Sequence, residues 1–244
     1  MNAKSYFIAD VHLETNNIQK RNVFLDFIEM VKRTSGDLFI LGDLFDYWAN
    51  NRKVREDNHA VLGALEGLTR NGAQVTFIIG NRDLLLGARA LSRYGIVFGG
   101  ESKRITLQGK QLLLTHGHLL CINDVEFQRY RRTAWPLYRV LDALLPGVIE
   151  NALARKFILK SKRVIAVQEP WRLHFSDDAI HKAFAQGVEV IICGHSHQAL
   201  MKTYDGDKYF VVLPSWTSER GGYLLMEGGH LQLMDFPAGG RVNV

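Results

Sequence analysis

Five short apolar runs in this chain each end on side chains able to bind a metal ion. "YFIADVHLE" runs into Asp10 and His12, "DLFILGD" ends on Asp43, and "IIGNRD" on Asn81, Arg82 and Asp83. "LLTHGH" ends on His116 and His118, and "IICGHSH" on His195 and His197. Short apolar runs bounded by turn formers read as buried strands. In an α/β sheet the carboxyl ends of the strands gather along one edge, where ligands bind. Residues far apart in sequence can therefore meet in one place.

Their chemistry forms a single set. Asp10, Asp43 and Asn81 offer oxygens; His12, His116, His195 and His197 offer imidazoles. Mixed carboxylate and imidazole donors suit divalent manganese, iron or zinc. Neither cysteine stands among them, which argues against a structural thiolate zinc. Seven donors are too many for one ion and suit two, held about 3.5–4 Å apart by a shared carboxylate. Asp43, central in the series, is the best bridge. Taken singly, each residue has a plainer explanation: a satisfied structural histidine, a helix cap at Asp43, a turn at Asn81. Five strands ending alike is what favours the metal site.

The segments between these strands set the architecture. "NVFLDFIEMVKR" carries Phe24, Phe27, Ile28 and Val31 at helical spacing, and "DNHAVLGALEGLTRNG" carries Val61, Leu62, Leu65 and Leu68, with Gly72 as its stop. Strand and helix thus alternate through the first half, which predicts βαβ units and a largely parallel sheet. The second half reads as hairpins turning at Gln108–Gly109, Asp205–Gly206 and Glu227–Gly229. Between the halves, residues 125–172 show no strand pattern. They hold ten lysines and arginines against four acids, enough to account for the whole +5 charge of the chain. Apolar residues recur there at helical intervals, so this segment reads as a helical insertion with one basic and one greasy face.

With 244 residues, 47% of them hydrophobic, the chain can bury a substantial core. No apolar run reaches the roughly 18 residues of a membrane span. The apolar run after Lys4 is too short for a signal peptide, so the expected location is the cytoplasm. Two cysteines make no disulfide framework, and Cys193 in "VIICGH" reads as a small buried hydrophobe. A basic surface suits nucleic acid, phosphorylated metabolites or anionic lipid.

In their order, D-x-H, G-D, G-N-R-D, H-G and G-H-x-H resemble the motifs of the calcineurin-like metallophosphoesterases, over nearly the whole chain. The resemblance implies an α/β fold of four layers, an α-β-β-α sandwich. It would be one domain over 1–244 with a helical cap insertion at about 125–172. It also implies ligand sets: Asp10, His12, Asp43 and His197 for one ion; Asp43, Asn81, His116 and His195 for the other.

Most of that family has His where "GNRD" has Arg82. This motif, "THGHLLCINDVEFQRYRR" and the insertion after it are similar to the branch that cleaves the pyrophosphate of UDP-linked diacylglucosamine in lipid A synthesis. That likeness implies two Mn2+ ions, a nucleotide-linked lipid substrate, and peripheral association with the anionic cytoplasmic face of the inner membrane. Asn81, Arg82, His116 and His118 would be catalytic, and Asn81, Arg82, Asp124, Arg155, Ser161 and Lys162 would bind substrate. The chain departs from that branch at His118, where Asp is usual, and at Phe127, where Tyr is expected. The stretch "ARKFILKSKRVIAVQEPW" lacks the branch's Asn-Ser-Lys pattern.

The metals would make hydroxide available near neutral pH for in-line attack on phosphorus. Arg82 would hold a non-bridging oxygen through its planar fork, or else pair with Asp83. His118 would be an acid for the leaving group or a support for the ligands. Phe45, Asp46, Tyr47 and Trp48 would pack the core or wall a pocket. The rivals are a phosphodiesterase or phosphatase acting on nucleotides or phosphoproteins, and a non-catalytic metal-binding scaffold. A nucleic-acid phosphoesterase fits the charge, but no interleaving of aromatic and basic residues for base stacking is evident, so nucleic acid is not an expected partner.

Overall fold

The structure is a computed structural model that describes residues 4–144 and 174–242. Its first sheet has six strands in the order β11-β10-β1-β2-β3-β4. These are β1 (Lys4–Ile8), β2 (Asp37–Leu41), β3 (Val75–Ile78), β4 (Val97–Phe98), β10 (Gly221–Glu227) and β11 (His230–Phe236). The second has five, in the order β5-β6-β7-β9-β8: β5 (Ser102–Leu107), β6 (Lys110–Thr115), β7 (Val190–Cys193), β8 (Leu200–Tyr204) and β9 (Lys208–Val212). Among the described residues the helices are α1 (Ile18–Arg33), α2 (Arg52–Asp57), α3 (His59–Arg70), α4 (Ala88–Leu91), α5 (Val125–Leu144) and α6 (Asp177–Ala185).

Strand periodicity of two generates the layers. Tyr6, Ile8, Leu38, Ile40 and Phe77 face a core shared with Phe24, Phe27, Ile28 and Val31 of α1 and Val61, Leu62, Leu65 and Leu68 of α3. Their neighbours Phe7, Ala9, Phe39, Leu41 and Ile78 face the opposite way, onto Leu112, Leu114, Val190, Ile192 and Val211 of the second sheet. That sheet's outer residues, Ile191, Cys193, Phe210 and Val212, pack on Ile180, Ala183 and Phe184 of α6. Helix, sheet, sheet and helix therefore stack as the expected four-layer sandwich. Each large apolar side chain buried this way contributes about 1.5–3 kcal/mol.

The parallel run β1-β2-β3-β4 and the three antiparallel hairpins match the sequence reading. The turn of the β5–β6 hairpin also ties the two sheets together. Gln108 donates from Nε2 to the carbonyl of Met226, and its Oε1 accepts from the Gly229 N–H. Three helices had no sequence counterpart: α2, α4 and α6. The first two are six and four residues long, and α6 has nine, too short for an apolar stripe to stand out. Helix α5 occupies the start of the segment read as a helical insertion, residues 145–172 of that segment lie outside the described residues, and with them Arg155, Ser161 and Lys162. Among the described residues no helix is long and apolar enough to cross a membrane.

Candidate dinuclear metal centre

Register delivers the polar residues to one edge. Ile8 pairs with Ile40 and Leu41 with Ile78, so Asp10, Asp43 and Asn81 leave the first sheet side by side. Leu114 pairs with Ile192 in the second sheet, which brings His116 and His195 out together. Backbone bonds stitch the emerging loops: Asp10 N–H to Gly42 C=O at 3.2 Å, His12 N–H to Asp43 C=O at 2.9 Å, Gly194 N–H to His116 C=O at 2.8 Å.

The backbone at this edge is unusual. Asp10, His12, Asp43, His195 and His197 all have positive φ, between 48° and 76°; among the described residues the only other non-glycine residues so placed are Ser35 and Gln108. The left-handed region costs about 1–3 kcal/mol per residue and persists where surroundings enforce it. Asp and His tolerate it better than most side chains. Each strand is thus broken sharply at its ligand, which turns the side chain back across the strand ends.

One atom of several donors is pinned and the other left bare. Asp10 Oδ2 accepts from the His195 N–H at 2.7 Å, and Asp43 Oδ1 accepts from the Arg82 N–H at 2.9 Å. His116 donates from Nδ1 to the Leu41 carbonyl at 2.9 Å. Asp10 Oδ1, His116 Nε2 and Asn81 Oδ1 are buried without a hydrogen-bond partner. Leaving such atoms bare costs about 1–3 kcal/mol each, a cost that ligation of cations would remove.

Two of these bare atoms, Asp10 Oδ1 and His116 Nε2, meet other donors. Asp10 Oδ1 lies 3.7, 4.0 and 3.4 Å from the Nε2 atoms of His12, His116 and His197, and Asp43 Oδ2 lies 3.8 and 3.6 Å from those of His12 and His116. Two groups have mutually close ligand atoms: Asp10, His12 and His197, and Asp10, Asp43 and His116. Asn81 and His195 flank the second group, with Asn81 Nδ2 3.1 Å from His195 Nδ1. All seven expected ligands are therefore in one cluster, with Asp10 as well as Asp43 reaching between its halves. The donor set and its orphaned atoms fit divalent metal.

Electrostatics prepare the same chemistry. Burial alone would raise the Asp10 carboxyl, but His197, His116 and His12 around it hold it below the ordinary carboxylate range. Burial pushes His12 and His195 down, so both stand neutral, the form that ligates. Burial also opposes charge on His116, yet Asp43 and Asp10 raise it; contact with Asp10 raises His197.

Glycines beside the ligands are required by close approach. A Cβ on Gly80 would run into Asp43 Oδ1, and one on Gly194 into Asp10 Oδ2. The glycine that accompanies most of the strand ends in the sequence is there because two loops cross at each carboxylate.

Asp83 serves a purpose that sequence reasoning missed. It is fully buried, and its two oxygens accept from the Gly80 and Leu44 N–H groups, both at 2.8 Å. It clamps the Asn81 loop to the Asp43 loop. Burial, with Asp43 nearby, pushes its carboxyl up to about 7. The pairing of Arg82 with Asp83 is thereby corrected, because both oxygens of Asp83 are turned to backbone. The guanidinium instead lies 3.6 Å from Asp46. Of the "FDYW" residues, Phe45 and Trp48 are core, while Asp46 and Tyr47 line a cavity. The signal for Asp83 was an acid running straight into "LLL".

His118 is fully buried and edge-on to Trp135 and Phe127 of α5, at ring centroid distances of 5.3 and 5.8 Å. Neither ring nitrogen has a hydrogen bond; Glu101 Oε2 is 4.0 Å away, beyond hydrogen-bonding reach. Burial holds its pKa down to about 4, so the ring is neutral at pH 7. Its carbonyl accepts from Gln128 Nε2 at 2.7 Å, and Arg131 pairs with Glu101 at 2.6 Å, so α5 is anchored beside the metal ligands. Asp124 Oδ1 accepts from the Phe127 N–H at 3.0 Å, the geometry of a helix cap.

Residues 3–199 match the family described as calcineurin-like phosphoesterase. The chain is 34% identical to a UDP-2,3-diacylglucosamine hydrolase of Pasteurella multocida, over 87% of this chain and 90% of that protein. It is 31% identical to the protein of the same name from Photorhabdus laumondii, over 95% and 98%. A solved dimetal phosphatase from Danio rerio shares the fold, with a TM-score of 0.53 at 13% identity over 96% and 95%. With residues fit to hold divalent metal at the converging strand ends, the chain belongs to the calcineurin-like phosphoesterases and is a phosphoesterase.

Proposed function

We propose that this enzyme hydrolyses the pyrophosphate of UDP-2,3-diacylglucosamine to UMP and 2,3-diacylglucosamine 1-phosphate, a step in lipid A synthesis. The observation that carries the reading is the meeting of ligand atoms from Asp10, His12, Asp43, His116 and His197, with Asp10 Oδ1 and His116 Nε2 buried among them without hydrogen bonds. The names of the relatives supply the substrate. The ligand sets are those the resemblance implies, Asp10, His12, Asp43 and His197 with Asp43, Asn81, His116 and His195, and the ions are Mn2+.

Divalent cations held by these residues would activate water and supply a positive field for the phosphoryl oxygens. The chain positions the rest. Asp43 is fixed by the Arg82 backbone, so the guanidinium on the same residue is set beside the ligands. Arg82 holds a non-bridging oxygen, which the planar fork suits better than a lysine would. His118, neutral and walled by α5, supports the ligand loop and not a charge.

The lipid half of the substrate is the work of the insertion, with Arg155, Ser161 and Lys162 among its contacts. Val125, Leu137 and Val140 of α5 are exposed at 69%, 57% and 53%. Exposed apolar residues on a helix that also carries Arg129 and Arg132 favour peripheral contact with the anionic cytoplasmic face of the inner membrane. The test is direct: the manganese-loaded protein, incubated with UDP-2,3-diacylglucosamine, releases UMP. No UMP under conditions where a chromogenic phosphodiester is hydrolysed would reject this substrate.

A further inference from the structure

The Arg82 side chain stands beside the candidate ligands almost out of water, 14% exposed. Its charge is felt at His12, where it opposes protonation of the ring. Its Nη1 is buried without a hydrogen-bond partner. A long side chain with many rotamers is hard to hold in one place, and a cation withdrawn from water needs a counter-charge. Some other group must keep this guanidinium from swinging out to solvent.

The carboxylate that faces it is Asp46, whose Oδ1 lies 3.6 Å from Nη1. Asp46 is itself firmly seated. Its N–H donates to the Leu13 carbonyl at 3.1 Å, and Leu13 is bridged to Phe45, so the loops after β1 and β2 run on side by side beyond their strands. Phe45 before it and Trp48 after it are buried, with ring centroids 5.0 Å apart. The Arg82 backbone is fixed as well, by its N–H on Asp43 Oδ1 at 2.9 Å. Carboxylate and guanidinium therefore hang from two anchored stretches of backbone, and only side-chain torsions set their separation.

That separation matters. At 3.6 Å the two attract through charge but make no hydrogen bond. Guanidinium bonds to an anionic oxygen close to about 2.7–2.9 Å and are stronger. A carboxylate at that shorter distance would occupy the fork. At the distance observed it holds the guanidinium in place and leaves Nη1 for a closer acceptor.

We infer that Asp46 is a positioning residue, which aims the Arg82 guanidinium at a phosphoryl oxygen and does not itself touch the substrate. This deepens the function proposed above: it rests on Arg82 holding a non-bridging oxygen, and not on which phosphorylated molecule supplies that oxygen. A donor aimed beforehand raises the rate, because it need not be ordered during the reaction.

The test is a double-mutant cycle on hydrolysis of a chromogenic phosphodiester by the manganese-loaded protein, with Asp46→Asn, Arg82→Ala and the two combined. Asp46→Asn keeps the size of the side chain and removes its charge; Asp46→Ala takes its place if that variant melts early. The kcat/KM of Asp46→Asn is expected to fall at least tenfold, with Mn2+ per chain unchanged. In the Arg82→Ala background the same change is expected to cost less than twofold, because no guanidinium is left to aim. A carboxylate that only supports its loop would cost the same in both backgrounds, so multiplying losses would overturn the inference while leaving Arg82 its phosphoryl role. Unchanged or higher kcat/KM in Asp46→Asn would also overturn it, the higher value showing that the carboxylate competes with the substrate for Arg82. Loss of Mn2+ from Asp46→Asn would overturn it by placing the effect at the ligands. Wild-type turnover by Arg82→Ala would sink the phosphoryl role of Arg82 and the inference together, and release of UMP from the lipid would still stand or fall by its own assay.

Discussion

The backbone N–H of His195 holds Oδ2 of Asp10 at 2.7 Å, so a candidate ligand from one sheet is aimed by the chain of the other. The inter-sheet arrangement and the metal site are therefore one structure. Asp10→Ala removes a ligand and leaves the His195 N–H without its acceptor. We expect hydrolysis to fall by about three orders of magnitude or more, as loss of a positioned electrostatic group does. Asp43→Ala should remove nearly all hydrolysis while the fold still forms. The check is kcat/KM with added manganese alongside metal content per chain; substantial turnover by purified Asp43→Ala would contradict its place between the ions.

Gly194→Ala separates packing from ligand chemistry. No ligand is changed, yet the new Cβ collides with the Asp10 carboxylate and comes within 2.6 Å of the Ala9 Cβ. The buried carboxylate has nowhere to retreat. Metal affinity should drop at least tenfold, read by isothermal titration with Mn2+. Wild-type affinity would mean that the loop crossing relaxes freely.

Asp83→Ala strips the acceptors from two buried N–H groups, those of Gly80 and Leu44. Each unsatisfied donor costs about 1–3 kcal/mol, so the metal-free protein should lose about 2–5 kcal/mol of stability in denaturant titration. Asp83→Asn keeps the shape but has one oxygen to offer two donors, and should fall in between. Equal stability of all three proteins would show that Asp83 is not a clamp.

The cluster of candidate ligands was legible because its members are marked locally. Each member sits where an apolar run stops, and the run can be seen in a few letters. The four layers were legible for the same reason, since alternation within β1 and β2 already divides Tyr6 and Ile8 from Phe7 and Ala9. What could not be read is what pairs across distance without a period. Arg131 meets Glu101 and Gln128 meets the carbonyl of His118 through a helix whose docking no short pattern announces. Asp124 was read as a substrate contact, and its observed bond is to the start of α5. The crowding at Gly80 and Gly194 likewise appears only once two loops are brought together.

The helical insertion makes the last prediction, because α5 couples it to the centre. Arg131 anchors to Glu101 at 2.6 Å, and Trp135 and Phe127 enclose His118, two residues beyond ligand His116. The described start of that segment, α5, is therefore held at a fixed offset from the candidate ligands. Changing Arg155, Lys156, Lys160, Lys162 and Arg163 together to Gln removes the basic side chains of residues 155–163 while α5 and the candidate ligands keep their sequence. Turnover of the diacylated substrate should fall at least tenfold more than turnover of a small chromogenic diester, because only the former reaches those side chains. Raising salt should mimic part of the loss in the wild type and little of it in the variant, as screening of a basic surface requires. Parallel losses on both substrates would mean that the insertion supports the fold of the centre and does not hold the acyl chains.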